Sequence, residues 1–142
     1  MRWAALLSRW VIGAVFIYAA VPKLLDMPAF AAAIANYRML PEVLVALVAA
    51  VLPGVELVTG AALVAGVGVR GGVILAEAML LAFVVALIQG IVRGIDTSCG
   101  CFDTAQAASP IGWGVVGRDL VLMAMGVVAW MGLPKEAGEP VP

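Results

Sequence analysis

The stretch from Ile95 to Gln106, IDTSCGCFDTAQ, holds both cysteines of the chain, Cys99 and Cys101, with Gly100 between them. Thiols this close have α-carbons about 5.5 to 7 Å apart, which enters the disulfide window only when the middle residue bends sharply. Gly100 has no β-carbon and reaches backbone angles closed to other residues, so the pair can bond, with strain. Strained disulfides reduce more readily than structural ones, and so small a ring removes little entropy from the unfolded chain. Such a bond is a poor staple and well suited to exchange. Three readings stand: reversible redox exchange, which is the economical one; capture of a soft metal such as Cu(I), Zn or Hg; and an inert pair. The chain has no histidine and no third cysteine, so a closed four-ligand metal site needs donors from another molecule. Around the pair, Arg93 and the amino end of the following helix favour the thiolate, while Asp96 and Asp103 oppose it.

A second set of chemistry-bearing residues lies inside apolar runs. Glu56 follows Pro53 in LPGVELVTG, Glu77 sits in the body of a later run, and Arg118 with Asp119 falls one to two turns into the last. Charges at such depth in a membrane cost several kcal/mol and face the interior of a bundle, paired. Arg118 and Asp119 are neighbours on a helix and point in different directions, so Arg118 is expected to meet Glu56 or Glu77 across the bundle. Such a pair fixes helix register. The alternative is a polar pocket that relays protons or holds a quinone head group beneath the thiols; separately, Glu77 can be accommodated simply by being protonated.

The elements that position these groups follow from composition. Of 142 residues 65% are hydrophobic and 12% charged, with mean hydropathy +1.15. A soluble domain is about 45–50% apolar, and one of this size has no interior large enough for such an excess. A lipid bilayer accepts it, in spans of about 20 residues. Four runs qualify: Ala4 to Val21, Val43 to Val69, Val73 to Val92 and Trp113 to Leu133. The fold class is therefore all-α, an integral membrane four-helix bundle in one domain over residues 1–134, with residues 135–142 a disordered tail. Between the first two runs, PKLLDMPAFAAAIANYRMLP carries Phe30, Ile34 and Tyr37 at helical spacing and reads as a short interfacial helix. Pro22 with Lys23 reads as the end of the first helix rather than a cleavage region, Pro53 as a kink, and Val69-Arg70-Gly71-Gly72 as a tight connection.

Trp3, Trp10, Trp113 and Trp130 fall near span ends, where interfacial anchors sit. The seven methionines read as packing. Gly54, Gly60, Gly66 and Gly126 suit close helix contact. With a net charge of −1 and no basic run, the chain cannot neutralise a phosphate backbone, which excludes nucleic acid as a partner. Four spans put both termini on one side and the connector and cysteine segment on the other. Arg2, Arg9, Arg70 and Lys135 stand against Lys23, Arg38 and Arg93, a lean of one charge towards cytoplasmic termini. That orientation, in the inner membrane, puts Cys99 and Cys101 on the outer, oxidising face.

The blocks KLLDMPAFAAAIANYRMLP, LPGVELVTG, VRGIDTSCGCFD and GRDLVL, in this order and spacing, resemble the methylamine-utilisation protein E (MauE) family, within the wider DoxX-like group of four-helix membrane proteins. The resemblance runs from about Arg9 to Leu133. Its specific part is the Arg-Gly followed by Cys-Gly-Cys-Phe before the last span. It implies a membrane protein that works with a thioredoxin-like partner in disulfide handling, in the named case during maturation of the disulfide-rich small subunit of methylamine dehydrogenase. By the same resemblance Cys99 and Cys101 are the redox pair, and Arg93, Glu56 and Arg118 support them. Asp103 stands where the family motif continues with glycine. Two other classes compete, a small transporter or soft-metal carrier lined by Glu56, Glu77 and Arg118, and a non-catalytic membrane subunit.

Overall fold

The computed structural model describes residues 2–36, 38, 40–93 and 113–133. Cys99, Gly100 and Cys101, and the tail at 135–142, lie outside the described residues. Among those described there are five helices: α1 (Arg2–Leu25), α2 (Met27–Asn36), α3 (Glu42–Ala65), α4 (Val69–Val92) and α5 (Trp113–Met131). Four of them are long and apolar enough to cross a membrane, and α2 is the short apolar helix expected after the first span. At 1.5 Å per residue the 24-residue helices are about 36 Å long, which covers a hydrocarbon core of about 30 Å.

Each long helix packs on two others, α1 on α3 and α5, and α4 on α3 and α5, while α2 lies mainly on α3. The core between them is built from Ile12, Phe16, Leu63, Val73, Ala76, Met79, Leu80, Leu122 and Ala129. Outward, Val43, Leu47, Val58, Ile74, Leu81, Val121 and Val127 are exposed, the inverse of a soluble bundle and the pattern that lipid requires. Trp3, Trp10, Trp113 and Trp130 are likewise exposed.

At the α1/α3 crossing the two backbones approach closely. Gly13 and Gly60 face each other there, and a β-carbon at Gly60 would stand 2.7 Å from the Gly13 carbonyl oxygen. Gly126 has a different neighbour, the carboxyl of Glu77. Gly54 touches nothing within 4 Å of where its β-carbon would be, so its expected role in helix contact is not seen.

Two local expectations are corrected. The α3/α4 connection is Gly66-Val67-Gly68, not Val69-Arg70-Gly71-Gly72. Gly66 and Gly68 adopt φ of 79° and 57°, the left-handed region glycine enters freely, and the Gly66 and Val67 amides close α3 on the Ala62 oxygen. Arg70, Gly71 and Gly72 are then already helical. Second, α1 does not end at Pro22 but runs on to Leu25. A proline removes only its own amide from the ladder, and near a helix end that loss does not stop the chain. Lys23 is thereby carried into the bundle, fully buried. Pro53 lies within α3, which continues through it. At the foot of the bundle Arg9, which the charge count placed outside, is buried with its guanidinium beside Gly66, at the carboxyl end of α3 where a cation is favoured.

The chain turns from α1 into α2 at Asp26, whose carboxylate accepts a hydrogen bond from the Ala29 amide at 3.2 Å and so caps α2. α2 is docked on the bundle, with Phe30 and Ala33 buried. Its far end is tied to α4, since Arg93 donates from Nη1 to the Arg38 carbonyl at 3.3 Å. The residues that lead into the cysteine segment therefore share an end of the bundle with the α2 connector.

Candidate functional site

Helix geometry brings Lys23 and Glu56 together from 33 positions apart. Side chains on a helix lean towards its amino end. α1 and α3 run in opposite directions, so Lys23, near the end of α1, leans into the bundle while Glu56 leans back towards it. The ammonium donates to both carboxylate oxygens, at 2.8 Å to Oε1 and 2.9 Å to Oε2. Both side chains are out of solvent. Two rings complete the setting of the lysine: Phe30 of α2 and Phe83 of α4 each stand 5.1 Å from Nζ, within cation–π range. One cation thus engages α1, α2, α3 and α4.

The second ion pair is on α5. Asp119 is buried, whereas the Arg118 side chain is a third exposed, at 34%. The guanidinium curls back along α5 to its own neighbour, donating to Asp119 Oδ1 from Nε at 2.9 Å and from Nη2 at 2.7 Å. Adjacent helix positions do point apart, but arginine is long enough to return around the helix surface. Arg118 therefore pairs within α5 rather than across the bundle. Both donated bonds fall on Oδ1, and Asp119 Oδ2, buried, has no hydrogen-bond partner among the described residues.

The two pairs face one another. Lys23, Glu56, Arg118 and Asp119 line a common gap of about 20 Å³, walled by Ala19, Leu80, Phe83 and Leu122. Asp119 is six residues into α5, about 9 Å below its start, which sets this tetrad beneath the end of the bundle that carries the α2 connector.

The cross-bundle pair expected between Arg118 and Glu77 does not form. Arg118 is five residues from the start of α5 and Glu77 is fifteen from the end of α4, which puts them about 15 Å apart along antiparallel axes. Glu77 instead packs on Gly126, with its Oε1 buried and without a partner among the described residues. Glu56, the other acid expected to take Arg118, spends both oxygens on Lys23. Sequence reasoning missed Lys23 as a site residue and named Asp119 only as an intramembrane charge without a role. A lysine just past a proline at the end of an apolar run is the ordinary mark of a span's exit; the available signal was Glu56, an acid whose depth demanded a cation.

The gap between the charges, about 20 Å³, is the size of one water molecule rather than of a ring. A larger cavity, about 430 Å³, opens between α2, α3 and α4, but its lining of Phe30, Ala33, Ile34, Leu40, Val48, Leu52, Ala78, Met79, Ala82, Phe83 and Ala86 offers no polar side chain to a carbonyl. Among the described residues no cluster of three or more acids, histidines or cysteines could hold a metal ion.

Four apolar spans closed around buried Lys23, Glu56 and Asp119, with half-buried Arg118 beside them, define a small multi-pass membrane protein with an internal polar site. Comparison with known sequences makes this specific. The chain belongs to the MauE family, whose model, described as "Methylamine utilisation protein MauE", matches residues 1–132. It is 35% identical over 127 residues to methylamine utilization protein MauE of Paracoccus denitrificans, covering 89% of this chain and 68% of that protein. The protein of the same name from Paracoccus versutus is 34% identical over 135 residues, 94% of this chain and 70% of the relative. That of Methylorubrum extorquens is 34% identical over 116 residues, covering 80% and 61%. The chain thus spans about two thirds of the length of these relatives. No solved structure matches.

Proposed function

We propose that this protein is a membrane thiol–disulfide exchanger that passes electrons between Cys99/Cys101 and the dithiol of a thioredoxin-like partner, in the service of methylamine utilisation. The observation that carries the reading is the sequence Cys99-Gly100-Cys101 itself, the only thiols of the chain, set in the polar segment between α4 and α5. Membership of a family described by methylamine utilisation supports the setting. The Arg93 bond to the Arg38 carbonyl supports it too, because it fixes the point where the chain enters the cysteine segment.

In the oxidising direction a partner thiolate attacks one sulfur of the Cys99–Cys101 disulfide, forms a mixed disulfide and expels the other cysteine as a thiolate, which takes a proton. The partner's second thiol, on losing its proton, attacks the mixed disulfide and releases the first cysteine. Two electrons and two protons have then moved from the partner's dithiol to the cysteine pair, and the reverse sequence reduces a partner disulfide.

Single-cysteine variants test this. Cys101→Ser and Cys99→Ser should insert normally, and one of them should accumulate a mixed disulfide with a dithiol protein that reductant releases. Cys99→Ser/Cys101→Ser should trap none and should leave that partner in the wrong redox state. Normal partner maturation in the double variant would instead mark a structural subunit, and metal-dependent uptake lost with the thiols would mark a carrier; either rejects exchange.

A further inference from the structure

Donors and acceptors in the tetrad do not balance, and the imbalance has a location. A lysine ammonium has three N–H donors. Lys23 makes two hydrogen bonds, both to Glu56, and its Nζ is fully buried. Asp119 is 2% exposed, receives both Arg118 bonds on Oδ1, and keeps Oδ2 buried without a partner among the described residues. Among the described residues, one buried donor on Lys23 and one buried acceptor on Asp119 are left over, and both residues line the same gap of about 20 Å³. A water needs about 10–15 Å³ and two to four polar partners, and leaving a buried polar group unsatisfied costs about 1–3 kcal/mol.

We propose that this gap is a binding site for a single internal water molecule, which accepts a hydrogen bond from Lys23 and donates one to Asp119 Oδ2. The water joins the two ion pairs into one hydrogen-bonded chain, Glu56 to Lys23 to water to Asp119 to Arg118, across α1, α3 and α5. The remaining walls, Leu80 and Phe83 of α4 with Ala19 and Leu122, are apolar, so they confine the water without competing for it. A continuous chain of donors and acceptors is the connectivity that proton transfer inside a membrane requires. This inference stands without the cysteines.

The chain has two lysines, Lys23 and Lys135, so Lys135→Arg leaves Lys23 as the only side-chain ammonium. The Lys135→Arg protein, with nitrogen-15 lysine in lipid nanodiscs, should give one slowly exchanging ammonium signal. A cross-peak to water is expected, with the sign of dipolar contact rather than chemical exchange. Adding Ala19→Val, or Leu122→Phe where the first variant fails to insert, fills the gap and should abolish the cross-peak while the ammonium signal persists. Asp119→Asn, of nearly the same volume, should keep the cross-peak. Absence of the cross-peak in the Lys135→Arg protein, or its survival in a filled variant that inserts, overturns the proposal.

Discussion

At the scale of single residues, Lys23 and Glu56 illustrate the asymmetry of buried ion pairs. Forming one from two solvated ions brings little net gain, because desolvation offsets most of the attraction, but removing one member strands the other. Lys23→Met should therefore destabilise the bundle by about 3–5 kcal/mol, and Glu56→Gln similarly, with the double change recovering much of the loss. Unfolding equilibria in mixed micelles would measure this. Single substitutions that cost less than about 0.5 kcal/mol, the level of an unremarkable surface change, would show that the pair holds nothing together. Phe83→Leu isolates the aromatic contribution: the ion pair remains, one ring is lost, and a smaller penalty is expected, on the order of 1–2 kcal/mol, if the ring contact carries energy of its own.

At the scale of helices, the structure separates glycines that the sequence grouped together. Gly60 lies against backbone, 2.7 Å from the Gly13 oxygen and 3.0 Å from the Ile17 amide nitrogen as seen from its missing β-carbon, and backbone cannot move aside. Gly60→Ala should force α1 and α3 apart and cost about 1–3 kcal/mol. Gly54→Ala, in open space on the same helix, should be neutral or stabilising by up to about 1 kcal/mol, since alanine is the better helix former. Equal effects at the two positions, measured by thermal unfolding in detergent, would refute the crossing described. The spans themselves were legible, because an apolar run of about 20 residues has few other fates. Their ends were not. GVG at 66–68 and RGG at 70–72 carry the same local turn signal, and only the packing of Val69 and Gly72 onto the bundle, both buried, decides that the second is helix. The site was half legible for the same reason. The cost of an acid in lipid singles out Glu56, but its partner lies 33 positions away on another helix, and no local pattern encodes that pairing.

At the scale of the whole molecule, burial changes what the charges say about orientation. Lys23 and Arg9 are enclosed in the bundle and belong to neither side's loops. Arg2 and Arg70 are exposed at one end, Arg38 and Arg93 at the other, and these four balance. Lys135 in the sequence then adds one cation to the end that holds the termini, and the positive-inside tendency favours that end in the cytoplasm. On the orientation we propose, four spans put the connector and the Cys99–Cys101 segment on the opposite side from the termini, the outer face, where thiols meet an oxidising environment. A membrane-impermeant maleimide applied to spheroplasts should label the protein only after a reductant is added, the outcome that a resting Cys99–Cys101 disulfide on that face requires. A fluorescent protein fused to the carboxyl end should glow, since it folds in the cytoplasm. Labelling that requires lysis would put the cysteines on the cytoplasmic side and remove the outer-face role. Adding two lysines beside Arg38 should shift the balance and invert a fraction of the molecules. A balance of a single charge is a weak anchor, and this response distinguishes an orientation set by loop charge from one set by the fold.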